Sequence, residues 1–278
     1  MKRIGLHLRI TESLIEVVGQ AIELKLPFFQ SFLVRCYGTY YTWPTQEEER
    51  IFRALCEQHF FSPLFAHGSF WINLSHTQYD NAHALGKEIA CARRLGFSHL
   101  VVHAGSATGS KNHLDGIDAL VRTINTVMRF ERDVTLVLEN TAHGKLSVGS
   151  NIDDFALVRE KLMQPEKVRF CIDTAHAYAY GYHLKTLTEL DAFIAYIDKT
   201  LSLDNIALIH LNDIQDTHGS CIDRHALIGA GNIGEPVLRQ FIEHPKLQHI
   251  PVILEPPVAP IPEIMQSLNR VKGWGLGL

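Results

Sequence analysis

The chain has 278 residues, 46% hydrophobic and 20% charged, so it can bury a large core in one big domain or two small ones. The formal net charge is −4, and no global basic excess advertises nucleic acid; any grip on DNA needs a local basic patch or bound cations. Five cysteines, an odd number without a Cys-x-x-Cys, argue against a disulfide framework or a thiolate zinc site. No signal-peptide run opens the chain at Met1-Lys2-Arg3-Ile4-Gly5, and no stretch is apolar enough to span a bilayer, so an intracellular, cytoplasmic protein is expected.

Taken in chain order, short apolar runs rich in β-branched or aromatic residues alternate with longer segments whose apolar residues recur three and four apart. Strands are expected near Arg3–Leu8, Phe28–Val34, Pro63–Ala66, His99–Val102, Thr135–Leu138, Val168–Ile172, Ile206–Ile209 and Pro251–Leu254. Helices are expected over Thr11–Leu24, Gln46–His59, Asn81–Leu95, Leu114–Arg129, Ile152–Leu162, Leu187–Leu201, Glu235–His244 and Ile261–Val271. Eight strand–helix units in a chain of this length predict the α/β class and a single (β/α)₈ TIM barrel over residues 1–278. A doubly wound open sheet is the alternative, but no Gly-x-Gly-x-x-Gly follows the first strand. The Gly-rich end, residues 272–278, is expected to be a loose tail, with Trp274 either a packing anchor or part of it.

Such barrels carry their chemistry at the C-terminal ends of the strands. There the sequence places His67, His103, Glu139, Asp173 with His176 where the sixth strand breaks into a loop, His210, and Glu255, and the long loop after the seventh strand adds Asp223 and His225. Any one of these is as well explained as a polar residue satisfying loop backbone. Nine together are not, because four carboxylates around one mouth repel unless cations neutralise them. Imidazole with carboxylate suits Zn²⁺, with Mn²⁺ or Fe²⁺ compatible, and nine ligands with one bridging carboxylate suit three ions. A multinuclear site open to water points to phosphate-ester hydrolysis. Cys171 reads as a small core residue, and His7 as a supporting or core residue, not a ligand. Asn212 and Asp213 would orient His210 or cap the loop.

The set HGS, HAGS, LEN, CIDTAHAYAYGY, HLND, DRHALIGAGNIG and LEPP resembles endonuclease IV, the zinc-dependent apurinic/apyrimidinic endonuclease family on the xylose-isomerase-like TIM barrel, over roughly residues 4–257. The resemblance implies three Zn²⁺ per chain. His67, His103 and the bridging Glu139 would hold the first. Glu139, Asp173, His210 and Glu255 would hold the second, and His176, Asp223 and His225 the third. Glu139 and Glu255 would be the catalytic carboxylates, with Glu255 orienting or deprotonating the attacking water. The implied reaction is cleavage 5′ to an abasic site in double-stranded DNA by a monomer, in base excision repair, with removal of blocked 3′ ends.

Departures from the family pattern concentrate where DNA is gripped. The polar loop after the second strand becomes Arg35-Cys36-Tyr37-Gly38-Thr39-Tyr40-Tyr41-Thr42-Trp43, whose aromatics either stack on bases or pack on the rim. Phe70 and Trp71 stand where the family tends to have Tyr–Leu, as a wedge or, for Trp71, as core. Leu8-Arg9-Ile10-Thr11 replaces a loop of small residues, and HPGSH becomes His103-Ala104-Gly105-Ser106-Ala107. Arg224 would touch phosphate or pair with a carboxylate. The candidate DNA contacts are therefore Arg35, Tyr37, Phe70, Trp71 and Arg224. Two other functions remain open: a metal-dependent sugar isomerase or epimerase, which leaves His176, Asp223 and His225 without a job, and a non-catalytic DNA-binding relative with structural metals.

Overall fold

The computed structural model describes residues 4–37 and 40–274, apart from the side chains of residues 36, 37, 40 and 41. Its frame runs β1 (Ile4–Leu8), α1 (Leu14–Glu23), β2 (Gln30–Phe32), a hairpin of β3 (Arg35–Tyr37) and β4 (Tyr40–Thr42), α2 (Gln46–Gln58), β5 (Phe65–His67) and α3 (Ala82–Leu95). It continues with β6 (His99–His103), α4 (His113–Met128), β7 (Thr135–Glu139), α5 (Asp153–Lys161), β8 (Val168–Asp173), α6 (Thr174–Tyr180) and α7 (Leu187–Leu201). The last part holds β9 (Ile206–His210), β10 (Asp213–Ile214), β11 (His225–Ala226), α8 (Glu235–Glu243), β12 (Val252–Leu254) and α9 (Ile261–Trp274). Eight strands close a parallel barrel in the order β1-β12-β9-β8-β7-β6-β5-β2. The predicted α/β barrel is thus the observed fold, and no described helix is long and apolar enough to cross a membrane.

Parallel strands buried on both faces need apolar residues on both sides, and β7 shows how the sequence supplies them. Leu136 and Leu138 join the core between barrel and helices, while Val137 joins a separate cluster with Phe28, Phe65, Val101, Cys171, Leu208 and Ile253 inside the barrel. Strand side chains alternate faces, so the residue two positions further on shares the inward side. Those residues are Gln30, His67, His103, Glu139, Asp173, His210 and Glu255. On β1 the pair is Gly5 and His7. A Cβ on Gly5 would come within 2.9 Å of the Phe28 ring and carbonyl, so only glycine fits beneath His7. The barrel interior therefore has an apolar layer and, one pleat higher, a polar one.

Helix caps hold the surrounding ring in place. Ser13 accepts from the Glu16 amide at α1, Thr45 from Glu48 at α2, and Thr186 and Glu189 form a reciprocal capping box at α7. Two expectations are corrected. Residues 272–274 do not begin a loose tail: they continue α9, because Trp274 is buried and its Nε1 donates to Glu235 at 3.3 Å. Residues 275–278 lie outside the described residues. Asp173 and His176 do not sit in a loop either, since α6 starts directly after β8.

Candidate metal centre

Asp173 ends β8 and caps α6: its Oδ1 accepts the His176 amide at 2.7 Å. One cap thereby brings a carboxylate and an imidazole three residues apart onto the barrel mouth. Asn140 locks the same corner. It donates from Nδ2 to the Asp173 carbonyl at 3.1 Å, accepts the Asp173 amide at 2.7 Å, and its own carbonyl faces His176 Nδ1 at 2.8 Å.

The nine expected ligands converge. His67 Nε2 and His103 Nε2 lie 3.2 and 3.3 Å from Glu139 Oε2. His210 Nδ1 lies 2.8 Å from Glu139 Oε1 and 3.3 Å from Glu255 Oε2. Asp223 sets one oxygen 3.1 Å from His176 Nε2 and the other 3.2 Å from His225 Nε2. Donor atoms of His67, His103 and Glu139, of Glu139, Asp173, His210 and Glu255, and of Asp173, His176 and His225 lie within 4.8 Å of one another in each group. Glu139 belongs to the first two groups.

The opposite nitrogen of four rings is tied to a carbonyl. His67 Nδ1 pairs with Gly68 O at 2.8 Å, His176 Nδ1 with Asn140 O, and His225 Nδ1 with Glu255 O at 3.0 Å. His210 Nε2 pairs with Gln30 Oε1 at 3.0 Å. A carbonyl only accepts, so each of these nitrogens carries a proton, and the other is the one that would give its lone pair to a cation held between ring and carboxylate. His225 Nε2 is buried and has no hydrogen-bond partner although Asp223 is close, an arrangement that fits two donors meeting at a cation. The residues present therefore fit divalent metal.

Charge agrees with this. Burial pushes the Glu139 carboxyl up, and His210 and His103 overcome it, holding it well below the usual carboxylate range. Burial opposes the charged form of His67, yet Glu139 lifts it to about 9; His225 is lifted to about 9 by Asp223 against the same penalty. Asp173 is raised, chiefly by burial. In the protein alone these carboxylates hold protons on the imidazoles, and a divalent cation would displace them. Cys171 lies beside Glu139 and His210, but burial keeps its thiol protonated, consistent with a core residue.

The supporting residues differ in part from the expectation. Asn212 orients Asp173 and Glu255, not His210: its Nδ2 is 2.5 Å from Asp173 Oδ2 and 3.2 Å from Glu255 Oε2, and its Oδ1 accepts the Glu255 amide. Asp213 caps the loop as expected, collecting the amides of Gly229, Gly231, Ile233 and Gly234. A Cβ on Gly231 would lie 2.4 Å from Asp213 Oδ1, which explains a glycine in GAGNIG. His7 is indeed a supporting residue, with Nδ1 3.0 Å from Glu255 Oε1. Gln30 is a further supporting residue, and Phe28-x-Gln30 repeats the apolar-x-polar spacing of the other strands.

The centre opens into a cavity of about 760 Å³ whose walls include Arg9, Ile10, Phe32, Phe70, Trp71, Arg224 and Pro256. Phe70 and Trp71 make an edge-to-face pair with centroids 5.0 Å apart, and both are exposed, so Trp71 is not core. Arg224 pairs with Asp216 through both Nε and Nη2. Arg9 reaches Pro256 O at 3.3 Å. Arg35 donates to Glu12 O, tying the β3–β4 hairpin to the loop after β1. Trp43 packs half-buried against the core. The Tyr37 side chain lies outside the described residues.

A family model described as xylose isomerase-like TIM barrel matches residues 21–274. A protein from Methanoculleus marisnigri named probable endonuclease 4 is 32% identical over 268 residues, 93% of each chain. One of the same name from Thermosipho africanus is 31% identical over 265 residues, 92% of this chain and 93% of that one. The crystal structure of endonuclease IV from Thermus thermophilus superposes with a TM-score of 0.82 at 28% identity, covering 98% of both chains. A 3-keto-D-glucoside 4-epimerase from E. coli superposes with a TM-score of 0.66 at 12% identity over 100% of both chains, a likeness of fold alone.

Proposed function

From the premise that this chain belongs to the endonuclease IV family of xylose isomerase-like TIM barrels, we propose that it is a zinc-dependent apurinic/apyrimidinic endonuclease. It would cleave the phosphodiester 5′ to an abasic site in double-stranded DNA, acting in the cytoplasm as a monomer in base excision repair. Cleaning of blocked 3′ ends would use the same chemistry. The observation that carries the reading is the ring set: four imidazoles, each with one nitrogen on a carbonyl and the other turned to a carboxylate, Glu139 or Asp223.

His67, His103 and Glu139 would hold one cation, Glu139, Asp173, His210 and Glu255 a second, and His176, Asp223 and His225 a third; Zn²⁺ suits the donors best, with Mn²⁺ or Fe²⁺ compatible. When bound, such ions neutralise phosphoryl oxygens and lower the pKa of water. Glu255 faces the cavity and would orient the attacking water and take its proton. The water oxygen bonds to phosphorus as the P–O3′ bond breaks, and the departing O3′ takes a proton from solvent water to become the 3′-hydroxyl. The products are a 3′-hydroxyl and a 5′-deoxyribose phosphate. Phe70 and Trp71 offer an apolar edge to the gap left by the missing base. Arg9 would meet a backbone phosphate, since its guanidinium has a carbonyl partner, Pro256, where Arg224 has a carboxylate, Asp216.

Against the isomerase alternative, the group His176, Asp223 and His225 has no use in moving a proton or hydride on a sugar. The direct test is a labelled duplex carrying one tetrahydrofuran abasic analogue. Incision immediately 5′ to the analogue, leaving a 3′-hydroxyl, is expected. An intact strand after incubation with fully metal-loaded protein would overturn the reading.

A further inference from the structure

Among the inward residues of the polar layer, Gln30 is no usual metal ligand, and it is completely buried. Its amide has one accepting and one donating end, and both are used. Nε2 donates to Glu255 Oε1 at 2.7 Å and lies 2.8 Å from His7 Nδ1. Oε1 faces His210 Nε2 at 3.0 Å. Glu255 as a carboxylate only accepts, so the amide nitrogen must face it; the oxygen is left for His210, whose Nε2 must then carry the proton.

We propose that Gln30 is a positioning residue for the second cation group, fixing His210 as the Nε2–H tautomer and turning Glu255 so that Oε2 meets His210 Nδ1. The proposal rests on the metal-centre reading. Its logic is that two ligands from different strands, β9 and the end of β12, share one supporting side chain from β2. The lone pair on His210 Nδ1 is thereby aimed between Glu139 Oε1 and Glu255 Oε2. Gln30 is completely buried, so a side chain of its bulk without the amide would leave the His210 N–H without that acceptor. A supporting partner of this kind is typically worth about 10–100-fold in metal affinity.

The test compares wild type with Gln30→Met, which keeps bulk and loses both hydrogen bonds, and with Gln30→Ala, which gives the same readouts if the thioether does not fit. Two quantities are measured on zinc-titrated protein: the affinity for each equivalent of Zn²⁺, and the tautomer of His210 from imidazole ¹⁵N shifts. The expected result is one equivalent held about 10–100-fold more weakly in the variants. His210 should lose its single Nε2–H signature, and the metal-free proteins should melt within a few degrees of one another. Unchanged affinity for every equivalent with an unchanged tautomer would overturn the role of Gln30 alone. Wild type that takes up no zinc would instead sink the metal-centre reading and this proposal with it.

Discussion

Two layers of the same barrel, one pleat apart, divide stability from chemistry. The lower layer, Phe28, Phe65, Val101, Val137, Cys171, Leu208 and Ile253, is apolar and closely packed. The upper layer, two residues further along those same segments, holds Gln30, three histidines and three carboxylates. Backbone, direction and neighbours are common to both, so side-chain identity alone makes one a core and the other a centre that must satisfy charge. The lower layer is self-sufficient through burial. The upper one, with Asp223 added from a loop, His225 from β11 and His176 from α6, is satisfied only as a network.

Substitutions in the two layers should therefore fail in different ways. The largest effect is expected for Glu139→Ala, which removes the carboxylate shared by two ligand groups: incision should fall below about one-thousandth of wild type, and metal content should drop. Incision assays with elemental analysis check this, and full activity would break the trinuclear account. Leu208→Ala, two residues before His210, should cost about 2–5 kcal/mol in denaturant unfolding while metal content stays unchanged. Loss of metal without loss of stability would contradict the division between layers.

A second comparison lies at the base of the same strand as His103. His99 stacks on Phe65 at 4.7 Å, and burial pulls its pKa down to about 4, with Arg169 adding to the effect. The folded protein keeps this ring neutral, while the unfolded chain protonates it below about 6.5. Its contribution is complete above that pH and is lost as pH falls towards 4, by at most about 3 kcal/mol. Metal-free wild type and His99→Gln, unfolded in denaturant across this range, should differ in pH slope; parallel curves would refute the assignment. The smallest expected effect is at the rim. Arg9→Ala should raise KM about tenfold with metal content intact, and lower the salt slope of DNA binding by about one. Unchanged KM and slope would remove Arg9 from the phosphate path.

The barrel was legible because each strand is a short β-branched or aromatic run, and each inward polar residue sits where the run stops. Glu139 and His210 could be named from that rule alone. Gln30 obeys it too, but its type suggests no ligand; its role follows from two partners 180 and 225 residues away. The helix over Thr174–Tyr180 was hidden because seven residues directly after a strand show no full amphipathic period. The partner of Arg224 was hidden because Asp216 meets it only once the β10–β11 hairpin has formed. Trp274 looked loose beside glycines, yet its ring and N–H found the core and Glu235.

The most direct measurement of the central claim is to strip the protein with a chelator, then add Zn²⁺ stepwise while following bound equivalents and incision of the abasic duplex together. The account predicts a stripped protein that does not cut, and incision that returns as about three equivalents bind per chain. A stripped protein that cuts at the full rate would contradict it.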